Sequence, residues 1–391
     1  MSKQDKKISI IAQEAFTGYL LLACTVISLT IANTRLGAQY LHLWLQPIGD
    51  HELSEWINEG LMAIFFLLIG LELKREFLYG ELKSVKRAIL PLSAAIGGMV
   101  VPAVIYIILN YGQGTLRGFG IPMSTDIAFV IAIIAILGQR IPPALKVFLT
   151  ALATIDDLGA VLVIALFYTT QFSLLHLMLG LLLFTAMVLF GQIVKPRSKR
   201  GKNGITMILL AAGVALWILT IKAGIHASIS GLLVALTIPS YEGHQEAPSQ
   251  RLEHFLHKPV YLFILPLFVL SNTAIPFSHL MEGSDSINAF LSQPHFAGIT
   301  MGLFLGKPLG ISLGVWWALV RGWSNLPEGV HVCHIIGAGF LGGIGFTMAI
   351  FITSLAFGSD AMADSAKIAI LGASVLSAVL GYFILKRAEF Q

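Results

Sequence analysis

Apolar residues gather into twelve stretches, near 15–32, 55–78, 88–109, 118–137, 144–169, 173–194, 204–220, 224–238, 252–275, 295–320, 330–357 and 366–385. Polar residues collect in the connectors, of which only 33–54, 239–251 and 276–294 are long. A hydrocarbon core about 30 Å thick is crossed by roughly 20 apolar residues at helical rise. Lipid offers no partner to an exposed backbone N–H or C=O, so stretches of this length and composition fold as helices. Those at 204–220 and 224–238 are the shortest. The pattern predicts an all-α membrane protein of about twelve transmembrane helices, one polytopic domain over 1–391 with no separate soluble part.

Charge in the connectors orients the chain. With the N-terminus in the cytoplasm, that side collects every Lys and Arg except Arg35, Arg117, Lys222 and Lys367 on the other side and Lys307 inside a helix. So strong a bias predicts that both termini are cytoplasmic. The first stretch follows Lys3, Lys6 and Lys7. We read it as a retained helix, since no small-residue cleavage site follows it. Overall 56% of the residues are hydrophobic and 12% charged, with mean hydropathy +0.82. Soluble domains are about 25% charged, so lipid must be the partner of this surface. The net charge of +4 is spread over short loops and marks no nucleic-acid surface. Cys24 and Cys333 lie in apolar stretches, as small buried hydrophobes do, and no spacing suggests a resident metal or cofactor.

Four ionisable residues fall deep within the stretches: Asp126, Asp156, Asp157 and Lys307. Each lone charge at mid-bilayer costs roughly 2.5–3.5 kcal/mol on the insertion scale, so they must pair, face water or work. The structural alternative is a buried ion pair that fixes helix packing. Asp156 and Asp157 are adjacent, about 100° apart around a helix, so both cannot face one partner. Two poorly solvated carboxylates this close titrate as a unit. Their oxygens suit a hard monovalent cation and can hold a proton instead, which is the chemistry of exchange. Lys307 is the natural partner of a buried aspartate. Its helix carries a stripe of Gly302, Gly306, Gly310 and Gly314 that permits close helix approach, and Pro308 weakens the backbone ladder beside it.

Two stretches look interrupted. Gly120-Ile121-Pro122-Met123-Ser124-Thr125-Asp126 in the fourth aligns with Gly343-Ile344-Gly345-Phe346-Thr347 in the eleventh. Broken backbone at membrane depth is tolerated only where protein or a cavity surrounds it. The two stretches enter from opposite sides, so segments 88–169 and 295–385 read as an inverted-topology repeat with two broken helices crossing at the bilayer midplane. Asp126 would offset the positive helix ends there, and Lys307 the negative ones. A Gly-rich packing helix is the alternative for the eleventh stretch.

These residues carry a resemblance over nearly the whole chain. Phe-Phe-Leu-Leu-Ile-Gly-Leu-Glu-Leu-Lys-Arg-Glu (65–76), Ser-Thr-Asp-Ile-Ala-Phe (124–129), Ile-Asp-Asp-Leu-Gly-Ala (155–160), Gly-Lys-Pro-Leu-Gly-Ile (306–311) and Gly-Ile-Gly-Phe-Thr-Met (343–348) resemble the NhaA family of sodium/proton antiporters. That family is itself a type example of inverted repeats with broken helices. The resemblance implies that Asp156 and Asp157 hold the transported Na+ or Li+, or protons in its place, and that Lys307 pairs with Asp156 when no sodium is bound. It implies that Thr125 and Asp126 lie at the crossing, with Pro122, Gly343 and Gly345 forming the broken backbone. Glu72, Glu76, His226, Glu253, His254 and His257 match positions tied to pH response. It also implies electrogenic exchange of two protons per sodium across the bacterial inner membrane, and a homodimer. The family dimerises through a hairpin in the region of 33–54, where this sequence shows no strand–turn–strand pattern. Read unaided, Glu72 and Glu76 beside Lys74 and Arg75 form a solvated helix end, as do His254 and His257, although histidine titrates near neutrality.

Other classes remain open. A symporter or channel would use the same buried charges, although a buried lysine disfavours a cation pore. An intramembrane aspartyl protease would pair Asp126 with Asp157, but its Tyr-Asp and Gly-x-Gly-Asp motifs are replaced here by Thr-Asp and Ile-Asp-Asp.

Overall fold

The computed structural model describes residues 3–169, 173–194, 199–240, 247–277, 292–358 and 361–388. Parts of the connectors 195–203, 239–251 and 276–294 lie outside the described residues. The apolar stretches form helices α1 (Lys3–Ala32), α2 (Gly37–Trp44), α3 (Leu53–Tyr79), α4 (Val85–Leu109), α5 (Ile127–Leu137), α6 (Pro143–Phe167), α7 (Leu174–Ile193), α8 (Lys199–Ala223), α9 (Ile229–Thr237), α10 (Pro248–Asn272), α11 (Pro294–Val320), α12 (Val332–Gly342), α13 (Phe346–Phe357) and α14 (Ala361–Arg387). Among the described residues nine helices are long and apolar enough to cross a membrane, and two bent pairs raise the number to 11. The chain is therefore a multi-pass membrane protein. The remaining expected span, at 224–238, is α9, which has only nine helical residues. Those cover about 14 Å, less than half of a hydrocarbon core.

One sequence expectation is corrected. The connector 33–54 does contain a strand–turn–strand: β1 (Pro47–Ile48) pairs antiparallel with β2 (His51–Glu52), Pro47 opposite Glu52 and Ile48 opposite His51. Gly49 has φ +70°, the conformation a type II′ hairpin turn asks of its first central residue. Strands of two residues are too short to alternate visibly, so the Gly49-Asp50 pair was the signal.

The helices divide between two compact units. The first comprises residues 1–40, 84–163 and 272–391. Its most extensive contact is α4 against α11, and the glycine stripe is the reason. A Cβ at Gly302 would strike Pro122, at Gly306 Pro102, at Gly310 the carbonyl of Gly97, and at Gly314 the carbonyl of Ser93. Backbone lies on backbone along several turns, which side chains larger than hydrogen forbid. The second unit comprises residues 41–83 and 164–271. Here α3 packs on α9 in the same way, with Gly231 against the Ala63 carbonyl. Lys74 donates to the carbonyls of Leu236 (2.8 Å) and Ala235 (3.4 Å). It satisfies the orphan C-terminal carbonyls of α9, a structural task the solvated-end reading did not assign to it.

Candidate functional site

In the first unit the fourth stretch breaks as the alignment suggested. A 3-10 turn, Leu116–Met123, gives way to extended backbone at Ser124 and Asp126, and α5 begins at Ile127. The eleventh stretch breaks between α12 and α13, whose axes differ by 43°. The two breaks meet. The Asp126 N–H donates to the Ile344 carbonyl at 2.6 Å. A Cβ on Gly345 would lie 3.2 Å from the Ser124 carbonyl, and one on Gly343 2.7 Å from Ser377 Oγ. These glycines have no room for a side chain, which answers the packing alternative: they pack closely because they carry the crossing. Pro122 is buried against Gly302.

Asp126 joins both helix starts. Its Oδ1 accepts from the Ala128 N–H (3.1 Å) as N-cap of α5. Its Oδ2 accepts from the Thr347 N–H (3.0 Å) and from Thr347 Oγ1 (2.6 Å) in the first turn of α13. One carboxylate therefore caps the starts of two helices. Thr347 was not singled out from the sequence, although it aligns with Ser124 as the hydroxyl residue four positions after the glycine of each paired stretch.

On the other side of the crossing, Lys307 Nζ forms an ion pair and hydrogen bond with Asp156 Oδ2. Both side chains are 0% exposed. Lys307 Nζ also donates to Thr125 Oγ1 (2.9 Å). The Thr125 hydroxyl lies 2.7 Å from Asp156 Oδ2 and 2.8 Å from the Gly342 carbonyl, so its single proton goes to one or the other. Through this hydroxyl the charged pair reaches the carbonyl end of α12. Asp156 Oδ1 has no hydrogen-bond partner among the described residues. Asp157, the next residue, is 4% exposed.

The backbone at Lys307 has a local cause. Pro308 has no N–H to give the carbonyl four residues back, and its ring crowds that carbonyl. The helix widens into a π turn over Gly302–Gly306, with the Lys307 N–H reaching the Gly302 carbonyl. Such a bulge inside an α-helix often marks a functional position; here it sets the side chain of the buried lysine.

The residues matched to pH response fall in the second unit. Arg75 forms an ion pair with Glu253, which is 8% exposed, and approaches Glu76 at 3.4 Å. Glu72 also acts on Arg75, and His254 and Arg75 act on His257. Arg75, half exposed at this helix end, thus joins Glu253 and Glu76 by ion pairs. Only its salt-bridge partner, 178 residues away, reveals that role. His226 sits in the turn before α9 and donates from Nε2 to the Tyr168 carbonyl (3.0 Å).

Broken helices whose crossing gathers buried carboxylates, a lysine and hydroxyls are the equipment of a secondary ion transporter. The chain belongs to the Na+/H+ antiporter 1 family, whose model matches residues 8–385. It is 46% identical over 373 residues to Na(+)/H(+) antiporter NhaA of Flavobacterium psychrophilum, covering 95% of this chain and 94% of that one. It is 46% identical over 374 residues to the protein of that name in Dechloromonas aromatica, with 95% and 93% covered. To Na(+)/H(+) antiporter NhaA 1 of Klebsiella pneumoniae it is 42% identical over 389 residues, with 96% and 95% covered.

Proposed function

We propose that this chain is an electrogenic antiporter of the bacterial inner membrane that exports sodium or lithium in exchange for protons, two per cation. The observation that carries the reading is the fully buried Lys307–Asp156 pair, bonded to Thr125 at a helix break and adjoined by buried Asp157. Burial without water makes each charge expensive unless it is matched, so a cation arriving at the aspartates can take the place of the lysine. In the proposed cycle, Na+ displaces Lys307 from Asp156 and binds the oxygens of Asp156 and Asp157. After reorientation of the crossing the cation leaves, and protons return on the same groups. Asp126 keeps the crossing electrically balanced throughout. Repeat units 88–169 and 295–385 supply the two broken helices, and both termini are cytoplasmic. The Arg75–Glu253 cluster with Glu72, Glu76, His254 and His257, together with His226, adjusts activity to pH. The β1–β2 hairpin supports a homodimer of the family's kind.

The test is proton movement in proteoliposomes of the purified protein on addition of sodium, lithium or potassium. Sodium and lithium should release lumenal acidity, and potassium should not. Asp157→Asn, which keeps the shape and removes the exchangeable charge, should insert normally and abolish the response. Co-directional movement of protons and sodium, or near-normal exchange by Asp157→Asn, overturns the assignment.

A further inference from the structure

The start of α12 is built differently from an ordinary helix start. His331, in extended backbone (φ −106°, ψ 169°), is its N-cap, and His334 is the third helical residue. The His331 N–H donates to His334 Nδ1 at 3.1 Å. This is one arm of a capping box, in whose other arm the His331 side chain accepts from the His334 N–H; a Glu or Gln at the third position normally reaches back to the N-cap N–H. Histidine does this only when Nδ1 carries no proton, that is, as the neutral tautomer protonated on Nε2. The two imidazoles face each other with centroids 5.7 Å apart and planes 27° from parallel. His334 is 4% exposed, whereas His331 is open to solvent.

Protonating His334 changes three things in the same direction. Nδ1 turns from acceptor to donor, so the cap bond is lost. A positive charge then stands at the positive end of a helix. It also faces the ring of His331, so a second proton is repelled. The charged groups on neighbouring elements are Glu328 in the preceding loop, Arg140 and Lys146 flanking Pro142, which meets Gly329, and Lys386 and Arg387 at the end of α14, whose Leu385 packs on Gly337. Lys307, on α11, lies beside the far end of α12, where Pro308 meets Gly339. That far end is the site itself: the Gly342 carbonyl contacts Thr125, and the Ile344 carbonyl takes the Asp126 N–H.

We propose that His331 and His334 are positioning residues for the ion site. While His334 is neutral its cap holds α12, and with it the Gly342 carbonyl against Thr125; protonation releases the cap and lets the helix start fray. The proposal rests on the assignment of the site at Thr125 and Asp156. It makes acid pH lower the maximal rate, whereas competition between protons and sodium at the aspartates changes the sodium needed to reach that rate.

The test is amide hydrogen exchange of peptides covering 331–345, on the whole protein in lipid nanodiscs, at about pH 8 and about pH 5, either side of histidine titration and corrected for intrinsic exchange. Loss of one cap is worth about a fivefold change in local opening. The wild type should lose about that much protection in the first turn of α12 at the acid value. His334→Gln, which retains the acceptor and cannot titrate in this range, should keep equal protection at both. In proteoliposomes with saturating sodium, His334→Gln should match the wild-type rate at the alkaline value and exceed it at the acid one. Equal protection of the wild type at both pH values, or the same loss in His334→Gln, overturns the proposal. If the antiport reading were wrong instead, the wild type would show no sodium-driven proton flux at any pH, and the exchange result would still stand.

Discussion

Replacing Lys307 with alanine separates an electrostatic role from a packing one. The lysine and Asp156 are both 0% exposed, so neither reaches bulk solvent. Lys307→Ala deletes several buried methylenes and leaves the Asp156 carboxylate with the Thr125 hydroxyl at 2.7 Å. Breaking a buried pair from one side costs about 3–5 kcal/mol, because the orphaned charge keeps its desolvation penalty. In the double variant Lys307→Ala with Asp156→Asn the same cavity is present, so its cost of about 2–5 kcal/mol is common to both and cancels. The asparagine oxygen can still accept from Thr125, and no charge is stranded. The single variant should therefore be the less stable by about 3–5 kcal/mol, the penalty of the stranded charge. Thermal melting of the detergent-purified proteins should show a gap of several degrees at alkaline pH. The gap should narrow as pH falls, because protonating the stranded carboxylate removes its charge. Equal melting of the two variants at alkaline pH would mean that Lys307 and Asp156 do not meet in the membrane, and the proposed resting state of the site would fail with it.

Three further outcomes follow from the geometry. Gly310→Leu should destabilise the protein by more than about 3 kcal/mol, the upper end for overpacking, because the side chain would enter the Gly97 carbonyl; melting of this variant against a lipid-facing Leu309→Ala control checks it. Asp126→Ala should cost about 2 kcal/mol, roughly one cap at each of two helices. Asp126→Asn should lose less, since its oxygen still serves one of them; the order of their melting temperatures decides the point. Reporter fusions in 195–203 should read cytoplasm and those near 280 periplasm, and the reverse at either place would undo the topology.

How much of this could be read from the sequence depended on how local the cause was. The spans were legible because lipid imposes a length and a composition on each separately, and the buried charges of the candidate site were legible because they stand out against those spans. The crossing was visible because two Gly-rich breaks look alike. What escaped had a distant or very short cause. α9 has nine helical residues, its last carbonyls bonded by Lys74 and its face packed on α3, which no window of hydrophobicity reports. The hairpin at 47–52 is made by one turn and two residue pairs. Arg75 is half exposed, as a solvated helix end implies, but its partner Glu253 is far along the chain, and the bond of Thr347 to Asp126 joins two breaks that are distant in sequence.

The central claim is that cation and protons compete for the same two aspartates and are never held together. It is tested most directly by the rate of exchange against sodium concentration, at several pH values, in proteoliposomes with equal pH on both sides and a sodium gradient as the drive. Competition predicts that the half-saturating sodium concentration rises about tenfold for each unit of acidification below the apparent pKa of the pair, and more where two coupled protons are bound. A half-saturating concentration that stays flat across about three pH units, where competition requires about a thousandfold change, would contradict the account.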